Sequence, residues 1–84
     1  MLRITPTDGD GERTLRLEGR LVEPWVDELL GACREAASAG RRVVLDLSGV
    51  RFVNATGTAC LRELRERGAV LRGCSGFINE LLKV

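Results

Sequence analysis

The stretch from Val43 to Gly57, Val-Val-Leu-Asp-Leu-Ser-Gly-Val-Arg-Phe-Val-Asn-Ala-Thr-Gly, constrains the fold more than any other part of the chain. Its first five residues, Val43 to Leu47, are apolar nearly throughout and rich in β-branched side chains, the pattern of a strand covered on both faces in a parallel sheet. Asp46 interrupts that run. A carboxylate there is costly without partners, so it is expected at the strand's end, accepting from loop amides or facing an Arg. Ser48-Gly49 reads as a turn, and Val50, Phe52 and Val53 as apolar residues that tie the following loop down. Asn54 fits an N-cap whose side chain accepts from the amide of Thr56 or Gly57. A helix then runs to Gly68 with Gly57, Cys60, Leu61 and Leu64 on one face. At about 100° per residue, Thr56 lies roughly 90° from the centre of that face, beside Glu63 and Arg67. Its hydroxyl is therefore expected to border solvent. The pairs Glu63–Arg67 and Arg62–Glu66 describe a solvated side of the same helix.

The remaining chain supplies partners for this strand and helix. Leu2 to Thr5 reads as a short strand, and Thr14 to Glu18 as a second one with Leu15 and Leu17 inward. Between them, Pro6-Thr-Asp-Gly-Asp-Gly-Glu12 carries two Asp-Gly pairs and is most economically a hairpin turn. Its alternating Asp8, Asp10 and Glu12 imitate the start of a calcium loop, but the central Gly, the distal Glu and the flanking helices of an EF-hand are missing. Pro24 is placed for the first turn of a helix. From Val22 onward, Trp25, Val26, Leu29, Leu30, Cys33, Ala36 and Ala37 form one apolar stripe, closed by Gly40 as a left-handed cap. Ala69 to Leu71 makes a last short strand. Ser75 caps a final helix with Phe77, Ile78, Leu81 and Leu82 on one side, running to Val84. The expectation is a single α/β domain over residues 1–84, of order ββαβαβα, with three helices and a mixed, mostly parallel four-stranded sheet.

Composition removes several function classes. With 84 residues, one small core is available, burying about 60% of the unfolded surface. Thirteen basic and twelve acidic residues leave a net charge of +1, too little to favour nucleic acid by charge. No apolar run approaches the roughly 20 residues of a membrane span, and Met-Leu-Arg-Ile-Thr-Pro lacks the apolar core of a signal peptide, so a cytoplasmic protein is expected. The absence of histidine removes His-based metal sites and the Ser-His-Asp and Cys-His nucleophiles. Cys33, Cys60 and Cys74 are odd in number and widely spaced, as buried free thiols are. A phosphate cradle of the P-loop type would need more glycines and a Lys than Asn54–Gly57 offers. No enzyme, no cofactor and no metal is expected.

In open sheets of this kind the functional crevice lies beyond the carboxyl ends of the parallel strands, where Asn54 to Gly57 is placed. The order of elements, the step Leu17-Glu-Gly-Arg-Leu21, the strand and turn Val44-Leu-Asp-Leu-Ser-Gly-Val50, the four-residue turn before the second helix and the return strand Arg67-Gly-Ala-Val-Leu71 together resemble the STAS domain. That family includes anti-sigma factor antagonists, stressosome subunits, the tails of sulfate transporters and the small accessory subunit of lipid-transporting ABC systems. The antagonists carry Asp-Ser-Ser-Gly in this turn, and their second serine accepts phosphate from the partner kinase, itself the anti-sigma factor. Here the turn is Asn54-Ala55-Thr56-Gly57, so the resemblance maps the acceptor to Thr56. Asn54 keeps the capping function of the family's Asp and loses its charge. The implied partner surface comprises Asn54, Ala55, Thr56, Gly57, Ala59 and Glu63, with Trp25 and Arg20 beside them. The implied partner is a protein: an anti-sigma factor of the serine/threonine kinase type or, in the alternative, the ATPase of a transporter or another assembly.

Overall fold

A computed structural model describes residues 1–83; the expected continuation of the last helix to Val84 lies outside them. The order is β1 (Leu2–Gly9), β2 (Glu12–Leu21), α1 (Trp25–Ser38), β3 (Arg42–Val53), α2 (Ala55–Glu66), β4 (Val70–Arg72) and α3 (Gly76–Leu82). The ββαβαβα order and the mixed four-stranded sheet are those expected. In space the strands keep their chain order, with β1 antiparallel to β2 and β2, β3 and β4 parallel. No described helix is long and apolar enough to cross a membrane.

This strand order decides where the helices go. Both crossovers, β2–α1–β3 and β3–α2–β4, step along the sheet in the same direction, and right-handed connections then place both helices on one face. Leu15 and Leu17 of β2 and Leu45 and Leu47 of β3 meet them there, each 1% exposed or less. The core is completed by Leu29 of α1, Leu61 of α2 and Ile78 of α3.

The expectation that β3 is covered on both faces is corrected by the same geometry. The rows Thr14–Val44–Val70 and Arg16–Asp46–Arg72 point away from the helices, on a face that carries no helix among the described residues. Val44 is nonetheless 2% exposed, so neighbouring side chains cover it in place of a second layer.

The hairpin is tighter than the whole Pro6–Glu12 segment. Strand pairing continues to Gly9–Glu12, leaving Asp10-Gly11 as a two-residue turn in which Gly11 takes φ +71°. Asp8 is engaged by Arg13 at 2.7 Å and Arg41 at 3.6 Å. Pro6 is tolerated inside β1 because β1 is an edge strand.

Ser48-Gly49 is not a turn, and no loop follows it. β3 runs unbroken to Val53, but its register against β2 slips twice, between Arg16 and Glu18 and between Gly19 and Arg20. At the first bulge Asp46 Oδ1 accepts from the amide of Ser48 at 3.0 Å and from its hydroxyl at 2.7 Å. Asp46 thus finds the amide partner expected of it, but within the strand and not at its end. Its carboxyl is held below the ordinary 3.8, first by the Ser48 amide, then by the Ser48 hydroxyl, with Arg16 adding a smaller pull. Each bulge adds a residue to β3, so its core positions fall at Leu45, Leu47, Val50 and Val53, out of strict alternation. The second bulge lies between Val50 and Phe52, so Phe52 faces away from Val50 and is 42% exposed, not tied into the core.

Two helix faces also differ from the periodic reading. Pro24 precedes α1 as its N-cap residue instead of entering the first turn. On α2, Glu63 and Arg67 pair at 2.8 Å as expected, but Arg62 ignores Glu66 and donates to the carbonyls of Leu81 at 2.7 Å and Lys83 at 3.1 Å. The end of α3 thus has its orphan carbonyls satisfied by α2. Phe77 stays 45% exposed because α3 buries only Ile78 and Leu82.

Candidate functional site

The parallel pair β2–β3 ends side by side, Leu21 opposite Val53. Whatever follows those two residues must therefore meet. After Val53 the chain leaves the sheet through Asn54, whose extended backbone (φ −91°, ψ −175°) is that of an N-cap. Asn54 Oδ1 accepts from the Gly57 amide at 2.9 Å, and its carbonyl receives the Thr58 amide at 2.8 Å and the Thr58 hydroxyl at 3.0 Å. The capping expected of Asn54 is present, with Gly57 as the donor.

Gly57 fits here because α2 starts almost against the end of β2. A Cβ on Gly57 would lie 2.3 Å from the Leu21 carbonyl oxygen and 2.8 Å from Val53 Cγ1. Only a residue without a side chain lets the helix begin at this depth.

After Leu21 the other strand turns through Val22, Glu23 and Pro24 into α1, closed by the Trp25 amide donating to the Val22 carbonyl at 2.8 Å. This elbow brings Glu23 to the turn. Asn54 Nδ2 donates to Glu23 Oε1 at 2.8 Å, and the Thr56 hydroxyl donates to Glu23 Oε2 at 2.5 Å. One carboxylate thus spans the cap residue and the exposed hydroxyl two positions later. The Thr56 hydroxyl, then the Asn54 amide, hold the Glu23 carboxyl below its ordinary 4.5.

The remaining expected site residues divide into two groups. Ala55, Thr56 and Ala59 are exposed, and Trp25 is half-buried against the core beside the elbow. Arg20 is exposed and lies over the Phe52 ring at 5.0 Å, the pair marking the carboxyl ends of β2 and β3 on the sheet's open face. Gly57, by contrast, is buried and offers no surface of its own; it sets the depth of the turn. Glu63 is exposed further along α2 and already engaged by Arg67.

Glu23 and Phe52 are not among the site residues expected from the sequence. The signal for Glu23 is a consequence of parallel pairing: it follows the end of β2 by two residues, as Asn54 follows the end of β3 by one. Phe52 is concealed by the second bulge, which places it on the face opposite to Val50. Among the described residues no cluster of His, Cys, Asp or Glu could hold a metal ion.

The family model described as Mlab, STAS domain, matches residues 5–84. Among solved structures, the anti-sigma factor antagonist SpoIIAA in its unphosphorylated form is similar with a TM-score of 0.70, covering 96% of this chain and 80% of its own at 16% identity. The STAS domain of an antisigma-factor antagonist from Rhodobacter sphaeroides is similar with a TM-score of 0.62, covering 89% of this chain and 92% of its own at 25% identity. Comparison with curated proteins finds no match.

Proposed function

The chain belongs to the STAS-domain family, and from that premise we propose that it is a cytoplasmic, non-enzymatic regulatory module of the anti-sigma factor antagonist kind. It binds a kinase-type anti-sigma factor through the Asn54–Gly57 turn and α2, and phosphorylation of Thr56 governs the complex. The observation that carries this reading is the exposed Thr56 hydroxyl in the first turn of α2, at the carboxyl ends of the parallel strands. Around it lie Ala55, Ala59 and Trp25, with Phe52 under Arg20 at the neighbouring strand ends. Small residues admit a close partner, and half-exposed aromatic side chains supply the anchors that dominate protein interfaces.

The switch follows from charge. A phosphoryl group on Thr56 adds about −1.5 to −2 charge, and the free amides of the α2 N-terminus temper it within the domain. A partner packed over the turn would have to desolvate that charge, so the complex separates unless the partner presents Arg or Lys. The carboxylate that Asn54 lacks is supplied from across the turn by Glu23.

A second reading is favoured by the same contact. The Thr56 hydroxyl is already committed to Glu23, which suits a constitutive accessory subunit on a transporter ATPase or another assembly, with no phosphorylation. Incubation with a cognate kinase and ATP, followed by intact-mass measurement, separates the two. The switch predicts one phosphoryl group on the wild type and none on Thr56→Ala. No mass gain overturns it in favour of the accessory reading, and an equal gain on Thr56→Ala overturns Thr56 as the acceptor.

A further inference from the structure

Glu23 does more at this turn than lie near it. Its two carboxylate oxygens are used separately, one by the Asn54 amide at 2.8 Å and one by the Thr56 hydroxyl at 2.5 Å. The first fixes the elbow to the cap, and the second makes that attachment depend on a proton carried by Thr56. We infer that Glu23 is a latch: it holds the β2–α1 elbow against the first turn of α2 while Thr56 carries its hydroxyl proton, and a phosphoryl group on Thr56 releases it.

The chemistry of release is explicit. In phosphoryl transfer from a nucleoside triphosphate held by a kinase, the Thr56 oxygen bonds to the γ-phosphorus. The bond from that phosphorus to its bridging oxygen breaks, the diphosphate leaves, and the hydroxyl proton passes to solvent. The resulting ester oxygen has no hydrogen to donate. In its place an anionic phosphoryl group of about −1.5 to −2 charge faces the Glu23 carboxylate, and like charges at hydrogen-bond distance repel. Of the two side-chain bonds to Glu23, only that from the Asn54 amide then remains. Because Trp25 follows Glu23 by two residues and packs half-buried against the core, opening the elbow raises its exposure. The proposed partner surface therefore changes shape as well as charge. This deepens the reading of Thr56 as a modification site and rests on it.

Trp25 is the one tryptophan of the chain, so the latch has a built-in reporter. Thr56→Glu, prepared without kinase or partner, is compared with wild type by acrylamide quenching of tryptophan fluorescence and by amide hydrogen exchange over Val22–Val26. The latch predicts readier quenching and roughly tenfold faster exchange in the elbow, the scale of losing one hydrogen bond to a charged group. Exchange at Leu45 and Leu47 should not change. Adding Glu23→Gln to Thr56→Glu supplies an amide that donates to the new carboxylate, and should restore both readings towards wild type. Thr56→Val, which removes only the hydroxyl, should open the elbow less than Thr56→Glu, and it serves as the test if the latter fails to fold. Wild-type quenching and exchange in Thr56→Glu or, failing its folding, in Thr56→Val, or opening that persists in the double variant, overturns the latch. Because no kinase takes part, absence of phosphorylation would remove the switch and leave this result standing. A closed Thr56→Glu would remove the latch and leave the binding surface standing.

Discussion

Replacing Gly57 by Ala tests whether the depth of the turn is set by contact between α2 and the end of β2. The added methyl would sit 2.3 Å from the Leu21 carbonyl oxygen, 2.8 Å from Val53 Cγ1 and 3.1 Å from Leu21 Cγ. Reaching ordinary contact requires α2 to withdraw by about 1 Å from a strand end whose residues Leu21 and Val53 are 0% and 5% exposed. Ala in a helix interior is worth about 1 kcal/mol over Gly, and forcing a methyl into a packed site costs about 1–3 kcal/mol. Here the obstacle is backbone, which cannot rotate aside, so the upper part of the cost applies and the net loss is about 2 kcal/mol. For a domain of this size that lowers the melting temperature by about 10 °C. Gly31, in the middle of α1 with nothing within 4 Å of an added Cβ, is the internal control. There the same substitution should gain about 0.5–1 kcal/mol and raise the melting temperature by a few degrees. Differential scanning calorimetry on both variants checks the pair. Equal and positive shifts for Gly57→Ala and Gly31→Ala would refute the contact argument.

Three further outcomes follow. Asp8, Glu23 and Asp46 all have carboxyls held below their ordinary values, Asp8 first by its hydrogen bond from Arg13, so each stabilises the fold above its ordinary value and ceases to do so as the pH falls through the depressed one. The melting temperature should therefore stay level from about pH 7 to 5 and decline below 4.5, the ordinary value of Glu23, and a rise on acidification would contradict this. Burial pushes the thiols of Cys33 and Cys60 up to about 11, leaving on the order of one thiolate in a thousand at pH 8. Iodoacetamide should then label half-buried Cys74 first, and peptide mapping that finds Cys33 or Cys60 labelled as fast would refute the assignment. Arg62→Met removes the donors to the Leu81 and Lys83 carbonyls and should cost about 1–2 kcal/mol in urea unfolding, with faster exchange in α3. Unchanged exchange there would show that α3 does not depend on Arg62.

Much of this architecture is legible in the sequence because hydrophobic period and turn chemistry act locally. Leu15 and Leu17, the α1 stripe, the Asn54 cap and the glycines after α1 and α2 are set by neighbours within one or two turns of chain. The residues misread are those whose surroundings are made by distant partners. Ser48-Gly49 looks like a turn until β2 pairs alongside and converts it into a bulge. Phe52, two residues after Val50, looks like core until the second bulge places it on the opposite face. Glu23 has no local signature as a site residue, since its partners lie 31 and 33 positions away and arrive only when two parallel strands end together. Thr56 was found from its place at a helix start and from the family resemblance; its bond to Glu23 could not be.

The edge position of β1 governs how the molecule behaves in company. Eight residues of open strand are a template on which another chain could add itself, the usual first step of sheet-mediated aggregation. Midway along this one, Pro6 offers no N–H, and the strand carries Arg3 and Asp8 at either side of it. An incoming strand would find a gap in the ladder and charges to strip of water, while the opposite edge, β4, is only three residues long. Protection against edge-to-edge pairing is in this way written into the backbone of the outermost strand, and Pro6→Val would remove it.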